Sequence, residues 1–204
     1  AGLLQQTMQA DAKEADEAVS GVIEMTRFMS ELSQKGEIAY IRHSIDTRDR
    51  FYEEEINYWD EYSPLYEEVN NDYYRAVLES PYRDELTAVL PEQYFKMAEY
   101  KLKIFSPQVI QLLQKENELS SQYNKLIASA KIEFDGKTLN LSQLGPYQQS
   151  TNRSVRKAAA EAAFGFFEAN EATIDDIYDQ LVKVRDQIAK KLGFKDFVEL
   201  GYIR

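Results

Sequence analysis

The sequence predicts a mainly α protein, a multi-helix domain carrying one small β-hairpin near residues 131–139. Three observations carry that reading. Apolar residues recur at gaps of three, four and seven over most of the chain, the spacing of a helix face. Ser-Pro pairs at 63–64, 80–81 and 106–107 each offer an N-cap followed by a first-turn proline. Only "KIEFDGKTLNL", residues 131–141, alternates with a period of two around an Asp-Gly pair.

The first helix is expected from about Met8 to Ser33, ending near Gly36. A second begins near Glu37 and carries Ile38, Ile41, Ile45, Tyr52, Ile56 and Trp59 on one stripe. Continued on the same wheel, His43 points nearly opposite, with Tyr40, Thr47, Phe51, Glu54 and Tyr58. Such a helix has two partly apolar faces and is either sandwiched or turned toward another module. Ser63-Pro64 should break or kink it before it restarts. Ser80-Pro81 opens a further helix, Pro91 separates two short ones, and Ser106-Pro107 starts a long helix reaching about Ala130. In the hairpin, Asp135-Gly136 suits a type I′ turn, and the two strands need a helix to pack on. "LSQLGPYQQST" reads as an irregular loop. Helices resume from about Asn152 to Ala169 and from about Glu171 to Leu192, with Gly193 at C′. No linker or repeat interrupts the series, so residues 1–204 read as one helical domain.

A chain of 204 residues can bury roughly 70% of its unfolded surface, enough for a core without staples. It has no cysteine, which removes disulfides and thiolate metal sites. No apolar run approaches the roughly 20 residues of a membrane span. The net charge of −11 sits in the first part: residues 1–80 hold 18 acids and 7 bases, and residues 81–204 hold 17 of each. Such an acidic surface repels phosphate backbones, so nucleic acid is not an expected partner. The chain opens Ala-Gly instead of Met and ends on the apolar "GFKDFVELGYIR". Both ends read as those of a piece taken from a larger protein.

The candidates for chemistry are few. His43 is the only histidine, so no HExxH exists, and no nucleophile-elbow glycines are present. It reads as a structural histidine paired with a nearby Asp or Tyr. A bundle di-metal site needs Glu-x-x-His, and position 40, three before His43, is Tyr. Of 14 tyrosines, ten fall between Tyr40 and Tyr100; rings with hydroxyls suit either a core margin or a peptide groove. "AAAEAAFGFF" at 158–167 offers small residues for close helix packing.

Three long phrases resemble a known family: "IRHSIDTRDRFYEEE", "LKIFSPQVIQLLQKENELSSQYNKLIASAKIEFDGKTLNLSQL" and "YDQLVKVRDQIAKKLGFKDFVELGY". In order and spacing they are similar to the oligoendopeptidase F branch of the M3 (thimet oligopeptidase-like) zinc metallopeptidases, from about residue 37 to 204. The resemblance implies a helical N-terminal region walling a channel that admits short peptides. It implies zinc on a downstream HExxH, so this chain supplies no catalytic or metal residue and is inactive alone. The implied partners are its own C-terminal catalytic domain and short peptide substrates, with no nucleic acid and no membrane, in a cytoplasmic setting. Self-association through the exposed interface is a further expectation. Tyr40, His43, Phe51 and Tyr58 are then the candidates to face the channel or the catalytic domain. The competing reading is a stand-alone acidic helical interaction module.

Overall fold

A computed structural model describes the backbone from Gly2 to Arg204 and the side chains from Lys13 onward. Helix α1 runs Gly2–Ile45, passing through Gly36 without a break. One interior glycine costs only about 1 kcal/mol against alanine, too little to end a helix flanked by good formers. The break comes instead at residues 46–49, where two aspartates bond the backbone locally. Arg48 donates its amide and its Nε to Asp46 Oδ1, at 3.1 and 2.9 Å. Those bonds hold the Asp46 carboxyl below the usual carboxylate range. Asp49 Oδ1 accepts from the Phe51 amide at 2.9 Å, the N-cap bond that opens α2 (Arg50–Leu78).

This break overturns the expected stripe, because residues on either side of a loop share no helical phase. Ile38, Ile41 and Ile45 are 56%, 53% and 75% exposed, whereas His43 is 4% exposed and Ile56 is buried. The expected break at Ser63-Pro64 is absent: α2 continues through Pro64. An interior proline leaves the carbonyl four residues earlier without its donor. Here Asn117 Nδ2 donates to the Asp60 carbonyl at 3.2 Å, and Gln114 Nε2 donates to the neighbouring Glu61 carbonyl at 2.6 Å. The Asn117 amide thus replaces the donor the helix lost, and Gln114 adds a bond one residue on.

The remaining elements follow the sequence signals closely. Helices α3 (Arg83–Val89) and α4 (Glu92–Ile104) flank Pro91. A 3₁₀ turn at Pro107–Val109 leads into α5 (Ile110–Ala128). Strands β1 (Ile132–Phe134) and β2 (Lys137–Leu139) pair antiparallel, Ile132 opposite Leu139. Asp135 and Gly136 both have positive φ, 52° and 68°, as a type I′ turn requires. The segment read as irregular holds a 3₁₀ turn (Ser142–Leu144) and the short α6 (Gly145–Gln148). Then come α7 (Arg153–Ala169), capped by Asn152, α8 (Glu171–Lys191) and α9 (Phe197–Ile203), capped by Asp196. Gly193, at φ 87°, ends α8. Its amide reaches Lys190 O and that of Phe194 reaches Ala189 O at 2.9 Å, a Schellman closure.

Contacts divide the described chain into two compact units, each built from separated segments. The first comprises Ala1–Ile38, Tyr62–Ile110 and Ala189–Arg204. Its core gathers Val22, Val77, Leu86 and Phe95, with Val19, Tyr73 and Tyr94 against them. Arg83 lies over the Phe95 ring at 3.6 Å. The Tyr73 and Tyr94 hydroxyls are 2.7 Å apart, and Thr26 Oγ1 is 3.2 Å from Tyr73. Burial, then the Tyr73 bond, push the Tyr94 phenol far above its ordinary value.

The second unit comprises Ala39–Glu61 and Gln111–Ile188. The hairpin needs a helix, and α7 supplies it: Ala163 joins Ala130, Ile132 and Leu144 in one buried cluster. Ala159, four residues earlier, is also fully buried, so the small-residue stretch does let the chain approach closely. Across this unit, Arg185 Nε on α8 meets the buried Glu116 of α5 at 2.7 Å.

Candidate functional site

Within the second unit lies a cleft of about 830 Å³. Its walls are the last turn of α1, the 46–49 connection, the C-terminal half of α5, and the chain from β2 through the following 3₁₀ turn. The residues read as candidates divide between two places. Tyr40 and His43, three apart on α1, both line the cleft. Tyr40 is half exposed and His43 is buried. Phe51 and Tyr58 are exposed on α2 at 63% and 42% and lie outside the lining. Seven residues apart, they share a helix face, each edge-on to its neighbour, Tyr52 or Trp59.

His43 sits beside a small charge network. Lys125 Nζ on α5 meets Glu53 Oε1 on α2 at 3.0 Å. Burial pushes the His43 imidazole below its ordinary value of 6.5; Lys125 adds to this, while Glu53 and Asp60 oppose it. Burial likewise raises the Asp60 carboxyl, a rise that the Ser121 hydroxyl bond and the Lys125 charge partly offset. The expected Asp or Tyr partner for His43 is not found: its Nε2 is buried without a hydrogen-bond partner among the described residues. Ser121 donates to Asp60 and not to His43, so no nucleophile–base pair is assembled here.

The donor set does not fit zinc. The chain has one histidine and no cysteine, and among the described residues no three His, Asp or Glu side chains are grouped to hold a metal ion. Sequence reading missed the opposite wall of the cleft, formed by Asn124, Thr138, Asn140 and Gln143. The polar "NLSQ" run after the hairpin was its only local signal. Its pairing with residues 40–48 is tertiary and leaves no periodic trace.

The described residues thus form a mainly α fold with exposed aromatic rings on α1 and α2 and a cleft lined by polar side chains. A family model described as the peptidase M3 N-terminal domain matches residues 2–105. This chain therefore belongs to the M3 peptidase family. Among solved structures it is similar to a protein provisionally named oligoendopeptidase F from Bacillus anthracis str. Ames, at 51% identity and TM-score 0.85, over 88% of this chain and 33% of that one. It is also similar to PZ peptidase A, solved with an inhibitor, at 50% identity and TM-score 0.84, over 87% of this chain and 32% of that one. The chain thus spans about a third of the length of these structures. No curated protein matches it. No helix among the described residues is long and apolar enough to cross a membrane.

Proposed function

We propose that this chain is the non-catalytic N-terminal part of an M3-type zinc oligoendopeptidase, a cytoplasmic enzyme hydrolysing short peptides. The observation that carries this reading is the likeness to oligoendopeptidase F and PZ peptidase A, at about half identity over most of this chain and a third of theirs. When bound elsewhere in the polypeptide, the metal would polarise the scissile carbonyl and activate water. This chain's residues instead bind and position. Exposed Tyr40, Phe51 and Tyr58 offer rings with low ordering cost to a channel wall or to the catalytic partner, and buried His43 braces the cleft behind Tyr40. The acidic first part of the chain favours peptides with cationic ends.

The test is hydrolysis of an internally quenched short peptide with zinc present. It compares these 204 residues with the same chain continued into the two thirds its relatives possess. Cleavage by the longer form alone is the expected result. Cleavage by the short form would overturn the non-catalytic assignment. Activity in neither would favour an acidic helical module that binds a basic partner.

A further inference from the structure

We propose that the free edge of β2 binds an extended peptide as a third strand within the cleft, a deepening that rests on the peptidase reading above. Among the described residues the sheet has two strands, so β2 has one edge that β1 does not cover. In a two-residue hairpin the residues flanking the turn, Phe134 and Lys137, exchange both backbone bonds, and the next pair does not. That next pair is Glu133 and Thr138. The Thr138 amide and carbonyl therefore point away from β1, Thr138 is exposed, and it lines the cleft.

The chain around this edge limits what can add to it. Asn140 donates its amide to Gln143 Oε1 at 2.9 Å, and Gln143 donates its amide to Asn140 Oδ1 at 2.9 Å. This reciprocal clamp turns the chain away just past Leu139, so the open edge is short. A short edge resists open-ended pairing yet accepts a few residues of an extended segment. On another wall, Tyr40 and Ile45 are half and three-quarters exposed. Alternate side chains of an added strand would find apolar cover there, while the side-chain amide of Asn124 can both donate and accept. The Asp46 carboxylate is already engaged by Arg48.

The experiment titrates the ¹⁵N-labelled chain with an acetylated, amidated Val-Ser-Val-Ser-Val peptide, and with the same peptide N-methylated at alternate residues. Saturable amide shifts at Thr138 and around Tyr40 are expected with the first peptide and not the second. Thr138→Pro removes an outward donor that pairing with β1 does not use, and should weaken binding about tenfold, the scale of one well-made bond. Thr138→Val keeps the amide and should bind as the parent does, which controls for folding. No saturable shift, or equal binding by Thr138→Pro and by the N-methylated peptide, would overturn the proposal. So would loss of peptide binding on continuing the chain into its catalytic part, since the edge would then belong to the protein's own polypeptide. These readouts need no catalysis: peptide hydrolysis by the longer form without shifts here sinks this inference alone.

Discussion

Helix α2 survives a proline in its interior, and the repair is open to measurement. At Pro64 the Asp60 carbonyl has no intrahelical donor, and Asn117 and Gln114 donate to the Asp60 and Glu61 carbonyls at 3.2 and 2.6 Å. Each such bond contributes about 1 kcal/mol net, so Asn117→Ala with Gln114→Ala should cost about 2 kcal/mol together. In a Pro64→Ala background the helix supplies its own donor to Asp60. There the same pair should cost only about 0.5–1 kcal/mol, a coupling of about 1 kcal/mol or more. Pro64→Ala alone should stabilise, by up to the roughly 3 kcal/mol that an interior proline costs. Urea unfolding of the four chains at one pH completes the cycle. Any other contact that Asn117 makes is lost in both backgrounds and cancels. An equal cost with and without Pro64 would refute the repair mechanism.

The other expectations concern separate parts of the molecule. His43 has a depressed pKa in the folded state, so the unfolded chain binds more protons between that value and 6.5. Stability should be complete above pH 6.5 and fall as pH drops through this window, and urea midpoints of His43→Gln should lack that slope. At the buried ion pair, Arg185→Met removes the cation 2.7 Å from the Glu116 carboxylate, which is 8% exposed, whereas Glu116→Gln removes the charge facing an arginine that is 38% exposed and open to water. The first should cost about 3 kcal/mol and the second about 1 kcal/mol, and the reverse order in thermal unfolding would contradict the account. Tyr94→Phe removes the 2.7 Å bond to Tyr73 and should cost about 1 kcal/mol by the same assay. Gly136 turns the hairpin at φ 68°, so Gly136→Ala should cost about 1 kcal/mol, measurable as faster amide exchange in β1 and β2.

What the sequence disclosed was local, and what it concealed was tertiary. Asp135-Gly136, Asn152, Gly193 and Pro107 state their roles in their own backbone chemistry, and the hairpin, the helix starts and the α8 end follow. The α1–α2 junction was missed because Ile45 and Tyr52 stand seven apart, so an apolar stripe seemed to cross a loop that Asp46 and Asp49 were building. Pro64 misled because the donor that replaces its missing amide comes from Asn117, 57 residues from Asp60. As the chain's one histidine, His43 drew attention from composition alone. It is buried within a fold that places Lys125 of α5 and Glu53 and Asp60 of α2 near it, and no pattern within residues 37–62 carries the first of these.

The chain leaves each compact unit and returns to it. The first unit is made from three segments and the second from two, and the family match ending at residue 105 cuts the first before its last segment, Ala189–Arg204. Neither unit is a cassette. Closing the first requires loops of dozens of residues to be brought together before its final helix can dock, an entropic toll that short-range pairing does not carry. A gene fragment stopping at residue 105 would hold the matched signature and still lack α9, whose Leu200 is fully buried. Insertion and fusion are therefore best tolerated outside this interlaced stretch, which recombination must move as one piece or disrupt.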